Sequence, residues 1–225
     1  FTVPRGSLAH WIERADRARV EWIGPEMRFG EEWIELRDPA GLAIELIASG
    51  PEDAVPAIPR LHSATLQEAD PDSTARFLTE TMGCGFVSSE RGRMRFDIAG
   101  TPLDLIKSPA AEPAKLSAGM PHHLAFRVGD EAAQNVWREK LTASGIRVTR
   151  TIDRQYFRSM YFREPGGVLF EIATDGPGFL LDESQEELGR SLKLPPWLEK
   201  MRENIERRLP EIHAGASQPP EAARK

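Results

Sequence analysis

Residues 36–45 read Leu-Arg-Asp-Pro-Ala-Gly-Leu-Ala-Ile-Glu, and residues 162–171 read Phe-Arg-Glu-Pro-Gly-Gly-Val-Leu-Phe-Glu. The two stretches lie 126 positions apart and share an arginine, a Pro-x-Gly turn and a closing glutamate. The same offset aligns one further tryptophan and one further arginine in each copy: Trp11 with Trp137, and Arg28 with Arg154. Matches that keep one offset over this distance indicate an internal repeat, so the same structural unit is predicted to occur more than once.

The second copy shows the order of elements in this unit. Residues 130–144 carry apolar or small residues at helical spacing, which predicts a helix that ends at Gly145; these residues are Ala133, Val136, Trp137 and Leu141. Short apolar runs predict strands at 122–128, 146–148, 156–162 and 168–173, with a turn at 164–167. The predicted unit is therefore βαβββ, with Trp11 and Trp137 in the cores of their copies.

Three such units are predicted. We call them the N-terminal module (1–50, incomplete at its first strand), the middle module (57–108) and the C-terminal module (118–175). Proline-containing linkers at 51–59 and 108–121 separate them. In the middle module, the pattern predicts a helix from about residue 70 to 82, and strands at 61–66, 86–89, 94–98 and 103–107.

The two ends of the chain carry separate expectations. Residues 176–225 form a C-terminal extension, in which we expect a short acidic helix at 182–188, a second helix at 197–209 and a flexible tail. The chain starts at Phe1 without a methionine, and its first four residues resemble the end of a strand. We therefore expect the sequence to be truncated at its N-terminus.

Composition narrows the class of function. Of the 225 residues, 40% are hydrophobic and 28% charged, and the net charge is −6. A globular core is expected from these values, whereas a basic surface for nucleic acid or anionic lipid is not. No apolar run approaches the roughly 20 residues that span a bilayer, and the single cysteine, Cys84, cannot form an internal disulfide. We expect a soluble cytoplasmic protein without nucleic-acid or membrane partners.

Two residues of the C-terminal module have the character of metal ligands. In the predicted strand 122–128, alternation places His122 on the apolar face and His123 on the opposite face. Glu171 is expected on that same opposite face of the last strand. A histidine in a strand is more commonly a hydrogen-bonded structural group, but a carboxylate inside an apolar run is costly unless it is paired or binds a cation. With Glu45 and Asp104 at the corresponding places of the other copies, the pattern predicts a metal site at His123 and Glu171.

At the level of motifs, the chain resembles a known superfamily. Its βαβββ repeat, with a histidine in the first strand and a glutamate in the last, is similar to the vicinal oxygen chelate superfamily of glyoxalases, fosfomycin-resistance proteins and extradiol dioxygenases. Residues 121–126, 153–179 and 194–199 further resemble the Fe(II)-dependent hydroquinone ring-cleaving dioxygenases. The resemblance implies an α+β fold of tandem βαβββ modules forming cup-shaped mixed sheets, followed by a C-terminal helical extension.

The same resemblance implies an activity and its residues. It implies Fe(II) as cofactor, with a hydroquinone-type aromatic and O₂ as substrates, and it assigns His123 and Glu171 as metal ligands. It places Arg154, Tyr161 and His122 near the substrate as catalytic residues. Without the resemblance, Arg154 could be a surface residue that forms an ion pair, and Tyr161 a residue that packs within its strand. His122 fits least well, since alternation points it away from His123.

The resemblance also implies that the three units are the second, third and fourth of four modules. In that family the remaining iron ligand comes from the first module, so the chain is expected to lack one ligand. His62 could replace it if the middle and C-terminal modules shared a site. A homodimer is a further possibility, because modules of this type can exchange between subunits.

Three alternatives remain open from the sequence. A non-oxidative glyoxalase-like isomerase or transferase would use the same ligands with Zn, Ni or Mn. A non-catalytic small-molecule-binding protein of the same fold would need no metal. An interaction role for segments 182–188 and 197–209 is the third, although a solvated face packing one apolar edge is the more ordinary explanation. Cys84 is assigned no catalytic role.

Overall fold

Three βαβββ modules make up most of the structure, a computed structural model that describes residues 1–52, 54–108 and 120–210. The N-terminal module contains β1 (Thr2–Pro4), α1 (Leu8–Ala18), β2 (Trp22–Arg28), β3 (Glu31–Arg37) and β4 (Ala43–Gly50). The middle module contains β5 (Ala64–Glu68), α2 (Pro71–Arg76), β6 (Gly85–Glu90), β7 (Arg93–Ile98) and β8 (Thr101–Lys107). The C-terminal module contains β9 (Leu124–Val128), α3 (Glu131–Ala143), β10 (Ile152–Asp153), β11 (Arg158–Arg163) and β12 (Leu169–Thr174).

Each module forms its own four-stranded mixed sheet. The strand orders are β1-β4-β3-β2, β5-β8-β7-β6 and β10-β11-β12-β9. In every sheet the first strand of the module pairs in parallel with the last one, and the other neighbouring strands are antiparallel. The parallel pair requires a crossover connection, which the helix after the first strand begins. The predicted α+β fold of tandem βαβββ modules is confirmed.

The turns that suggested the repeat have the same geometry in both copies. Gly41 N–H donates to the carbonyl of Asp38 and Gly167 N–H to that of Glu164, each at 2.9 Å. Both glycines have a positive φ, 90° and 93° respectively, a conformation that side chains other than glycine rarely adopt. The conserved spacing in the sequence thus reflects one turn used twice.

The middle and C-terminal modules share a single hydrophobic core. It joins apolar residues of both sheets to residues of α3 and of the helical turn that follows α2: Leu66, Phe77, Leu78, Phe96, Leu103, Leu105, Leu141, Met160, Phe162, Phe170 and Ile172. Trp137 packs against its edge. The N-terminal module has a separate, smaller core around Val3, Ile34 and Leu46, against which Trp11 packs. Both tryptophans therefore contribute to cores, as predicted.

Charged side chains, in contrast, connect the N-terminal and middle modules. Glu31 of the N-terminal module pairs with Arg95 of the middle module at 3.1 Å. The Glu90 carboxylate accepts a hydrogen bond from the backbone N–H of Phe29 at 2.6 Å. A backbone bridge between Thr2 and Arg60 adds a main-chain link.

A buried carboxyl group lies where the middle and C-terminal modules meet. Glu68 is 3% exposed, and neither of its carboxyl oxygens has a hydrogen-bond partner in the described structure. The Thr74 hydroxyl donates to Glu164 Oε2 at 2.5 Å, so its proton is not available to Glu68. Burial, together with the nearby carboxylates of Glu164 and Asp70, raises the pKa of Glu68 to about 7. A carboxyl group in this position favours its neutral form.

Position 166 shows how closely the two modules approach. A Cβ atom there would lie 2.5 Å from the carboxyl carbon of Glu68, so a larger residue would force the buried Glu68 side chain to move. The N-terminal module carries Ala40 at the equivalent position. The difference between the two copies of the turn is thus explained by Glu68.

Several predicted elements differ in the structure. The first strands start later than predicted, at Ala64 and Leu124. Residues 146–148 form no strand and contribute one bridge, from Val148 to Phe162. In α3, Val136 is 65% exposed.

The polar Gln134 is buried in place of Val136, because its amide donates to the carbonyls of Arg158 and Ile172. Hydrogen bonds from the Gln134 side chain to the sheet, and not the apolar pattern, thus determine which helix residue is buried here. The predicted helix of the middle module is interrupted, since α2 continues as a π-helical turn, Phe77–Thr81.

The described residues after Gly176 belong to a second unit. The predicted acidic helix at 182–188 is absent, because these residues form turns. The predicted helix at 197–209 is limited to a 3-10 turn, Glu199–Met201, and α4, Arg202–Glu206. The predicted tail and most of the linker 108–121 lie outside the described residues. Within the described part of the chain, no helix has the length and apolar character needed to cross a membrane.

Candidate functional site

The C-terminal module brings His123 and Glu171 into direct contact. Strands β9 and β12 are parallel, with Ala125 opposite Glu171, and His123 lies just before β9. Nε2 of His123 is 2.6 Å from Oε2 of Glu171. The Glu171 side chain is 4% exposed and that of His123 is 32% exposed, so the pair is open to solvent from the imidazole side.

His122 lies beside His123 rather than on the opposite face. The two Nδ1 atoms are 2.9 Å apart and the ring centroids 5.1 Å apart, with the rings nearly perpendicular. The alternation argument placed His122 on the apolar face and was wrong, because both histidines precede the strand and do not follow its alternation.

Arg154 and Tyr161 form the neighbouring part of the site. Tyr161 lies directly opposite Glu171 in the β11–β12 pair, and its ring is 5.7 Å from the His123 ring. The exposed Arg154 guanidinium donates to the Tyr161 hydroxyl at 3.3 Å. The residues named from the sequence thus form one connected cluster, from Arg154 through Tyr161 to His123 and Glu171.

Ser159 belongs to this cluster but was not identified from the sequence. It is fully buried on β11 and its hydroxyl donates to Oε1 of Glu171. The two oxygens of the carboxylate therefore have different partners, a hydroxyl on one side and an imidazole on the other. Strand alternation puts Ser159 on the same face as Tyr161, and this was the available signal.

The other two modules pair the equivalent carboxylates with arginines. In the N-terminal module, Arg28 binds both oxygens of Glu45, at 2.9 and 2.5 Å. Burial alone would raise the pKa of Glu45, but its pairing with Arg28 holds that pKa below the ordinary value. In the middle module, Arg95 binds both oxygens of Asp104, at 2.8 and 3.1 Å, and Arg93 approaches to 3.3 Å.

The equivalent arginines of the N-terminal and C-terminal modules also differ in what they contact. Arg28 is the repeat equivalent of Arg154, yet Arg154 contacts Tyr161 while Arg28 contacts Glu45. Within the described residues, no arginine or lysine pairs with Glu171. The site of the C-terminal module therefore keeps a buried carboxylate that contacts a histidine and a serine, and no arginine or lysine of the described residues.

His62 lies in the charged junction between the N-terminal and middle modules. Its Nε2 is 3.2 Å from Oε1 of Glu31, and its Nδ1 is 2.9 Å from the Ser63 hydroxyl. The hydrogen bond with His62, helped by Arg95 and opposed by burial, lowers the pKa of Glu31.

The sheet register shows which histidine His62 resembles. Thr65 lies opposite Asp104 just as Ala125 lies opposite Glu171. Counting back two residues makes Ser63 the equivalent of His123, and His62 the equivalent of His122. The middle module therefore has a hydroxyl where the C-terminal module has its candidate ligand.

The donor set fits part of a metal site. An imidazole nitrogen and a carboxylate oxygen that converge on one point suit a first-row divalent metal. A buried carboxylate without a basic partner is also stabilised by a bound cation. No group of three or more His, Cys, Asp and Glu side chains within the described ranges is arranged to hold a metal ion. Those ranges thus supply two candidate protein ligands.

Comparisons with known proteins show which proteins this chain is similar to. Residues 60–172 match the family described as "Glyoxalase/Bleomycin resistance protein/Dioxygenase superfamily". The chain is 38% identical over 222 residues to "Putative ring-cleaving dioxygenase MhqO" of Bacillus subtilis (strain 168), covering 93% of this chain and 70% of that protein.

It is also 29% identical over 231 residues to "Chlorohydroquinone/hydroquinone 1,2-dioxygenase" of Sphingobium indicum, covering 93% of this chain and 71% of that protein. Among solved structures, a "putative dioxygenase" from Bacillus subtilis subsp. subtilis str. 168 superposes with a TM-score of 0.84 at 36% identity. The match covers 94% of this chain and 72% of the other.

Proposed function

Since the chain belongs to the glyoxalase/bleomycin resistance protein/dioxygenase superfamily, we propose that it is an Fe(II)-dependent dioxygenase that cleaves the ring of hydroquinone-type aromatics. Its relatives include proteins named as ring-cleaving dioxygenases and one named as a chlorohydroquinone/hydroquinone 1,2-dioxygenase. In the proposed reaction, the bond between a hydroxyl-bearing ring carbon and its neighbour breaks, and both atoms of O₂ enter the product.

The observation that carries the proposal is the contrast among three equivalent carboxylates. Glu45 and Asp104 are neutralised by arginines, whereas Glu171 contacts a histidine and a serine. Among the described residues, no arginine or lysine competes with a cation for the oxygens of Glu171. An arginine at this place would compete with a metal for the same oxygens.

His123 and Glu171 would hold the iron. Non-haem Fe(II) oxygenases typically use two histidines and one carboxylate and leave coordination positions open; the residues described here supply one histidine and the carboxylate. When bound, the metal supplies the acidity that deprotonates a coordinated hydroxyl group and the one-electron chemistry that O₂ requires.

Arg154 and Tyr161 would bind the substrate. The Arg154 guanidinium is exposed and cationic, so it attracts the anionic oxygen of an ionised hydroquinone. The Tyr161 hydroxyl, which accepts from Arg154, keeps its own proton for donation to a substrate oxygen. The two groups together define where the charged end of the ring binds.

His122 would orient the ligand histidine. Its ring packs edge-on against that of His123, with the two Nδ1 atoms at hydrogen-bond distance. One Nδ1 must then donate and the other accept. This contact fixes the rotation of the His123 ring and directs Nε2 toward Glu171.

Oxygen uptake tests the proposal. The full-length protein is loaded anaerobically with Fe(II) and mixed with methylhydroquinone or chlorohydroquinone in an oxygen electrode, and we expect one O₂ consumed per substrate. The Zn(II)-loaded protein is the matched control and should consume none, because Zn(II) has no redox chemistry. A different outcome would contradict the proposal: if the protein converts a glyoxalase-type substrate at the same rate with Fe(II) and with Zn(II), and consumes no O₂, it is a non-oxidative enzyme.

A further inference from the structure

Ser159 occupies a position that the repeat makes comparable in all three modules. In each module the equivalent carboxylate lies on the last strand, and one residue of the adjacent antiparallel strand lies directly opposite it. The position compared here comes two residues before that opposite residue. In the sheet registers these side chains are Trp33, Arg93 and Ser159, beside Glu45, Asp104 and Glu171 respectively. The same backbone position therefore carries three chemically different side chains.

The difference between Arg93 and Ser159 is a difference in charge. Arg93 pairs with Asp104 as a cation, whereas the Ser159 hydroxyl donates to Glu171 as a neutral group. Both side chains occupy one oxygen of their carboxylate. Ser159 does so without cancelling the negative charge.

The geometry of the hydrogen bond also selects one oxygen. Ser159 is fully buried and holds Oε1, while Oε2 lies 2.6 Å from Nε2 of His123. A carboxylate with one oxygen engaged in this way presents the other one to a metal. Rotation of the carboxylate to offer both oxygens would break the hydrogen bond of a buried hydroxyl, which is costly.

We propose that Ser159 is a positioning residue for the metal: its hydroxyl holds Oε1 of Glu171, so that Oε2 alone is presented beside His123 as a single-oxygen ligand. The inference rests on the proposed function, because it requires Glu171 to bind a metal. Partners that orient ligands in this manner typically contribute 10-fold to 100-fold, as an order of magnitude, to metal affinity.

Anaerobic calorimetric titration of the full-length protein with Fe(II) tests this role. Ser159→Ala is expected to weaken Fe(II) binding by about 10-fold to 100-fold, and Ser159→Thr, which keeps the hydroxyl, should restore it. Ser159→Arg copies the middle module and should abolish binding. Ser73→Ala is the matched control, since Ser73 makes the same kind of hydrogen bond to the Asp70 carboxylate, at 2.6 Å, and should leave the affinity unchanged.

The thermal midpoint of the metal-free protein separates positioning from a merely structural role. A Ser159→Ala protein that melts earlier but binds Fe(II) with wild-type affinity would overturn the inference while leaving the proposed function intact. Equal loss of affinity in Ser159→Ala and Ser159→Thr would overturn it as well. A wild-type protein that binds no Fe(II) would instead refute the proposed function, and the inference with it.

Discussion

Replacing Glu68 by glutamine tests the protonation state of the carboxyl group buried between the middle and C-terminal modules. Burial and the nearby carboxylates of Glu164 and Asp70 raise the pKa of Glu68 from 4.5 to about 7. At about 1.4 kcal/mol per pKa unit, this shift corresponds to about 3 kcal/mol. Glutamine has nearly the same shape and cannot ionise, so it imitates the neutral carboxyl group at every pH.

The direction of the effect follows from proton linkage. Below pH 4.5, Glu68 is protonated in both the folded and the unfolded chain and its contribution to stability is complete. Between pH 4.5 and about 7, the unfolded chain releases the proton while the folded chain retains it, so the free energy of unfolding falls as pH rises. Above pH 7 both states are ionised and about 3 kcal/mol has been lost.

Urea denaturation at a series of pH values measures this loss. We expect Glu68→Gln to match the wild type near pH 4.5 and to exceed it by about 3 kcal/mol at pH 8. The pKa values of Glu31 and Glu45 are lowered, so these residues stabilise the fold above pH 4.5 and lose this effect only at lower pH. They therefore do not contribute to the change measured between pH 4.5 and 8. Glu13→Gln, at an exposed position, is the control. Parallel curves for wild type and Glu68→Gln would refute the reasoning.

Three further changes test other parts of the structure. Arg154→Ala should leave Fe(II) binding intact but lower kcat on the order of 100-fold, measured by oxygen uptake; lost iron would contradict its assignment to the substrate. Leu141→Ala, at a fully buried position, should cost about 2–5 kcal/mol in urea denaturation, whereas Val136→Ala, at an exposed one, should change stability by less than about 0.5 kcal/mol. Gly166→Ala should destabilise by about 1–3 kcal/mol through its clash with Glu68, and adding Glu68→Ala should relieve that clash; an undiminished cost in the double variant would contradict it.

The parts of the fold that the sequence predicted are those with strong local signals. The Pro-x-Gly turns, the alternation in β9 and β12, and the helical spacing of α3 are all readable from neighbouring residues. Glu171 and His123 were predicted to share a face by strand alternation, and they do meet, although His123 precedes β9 and only Glu171 lies within a strand. The contact between them needed only the parallel pairing of the first and last strands.

The parts that were missed depend on residues distant in sequence. Ser159 becomes informative only when the register of β11 against β12 places it near Glu171. Glu68 looks like an ordinary strand residue until the C-terminal module covers it with Gly166. His122 was misplaced because the start of β9, at Leu124, could not be fixed from the apolar pattern alone.

Iron content of three matched variants tests the central claim that Glu171, and not its equivalents, binds the metal. The full-length protein and the variants Glu171→Gln, Glu45→Gln and Asp104→Asn are loaded anaerobically with Fe(II), dialysed and analysed for iron per chain. Each change removes one negative charge from the same strand position of a different module. We predict that Glu171→Gln loses its iron while the other two keep the wild-type stoichiometry. Iron retained in Glu171→Gln, or lost equally from all three variants, would contradict the account.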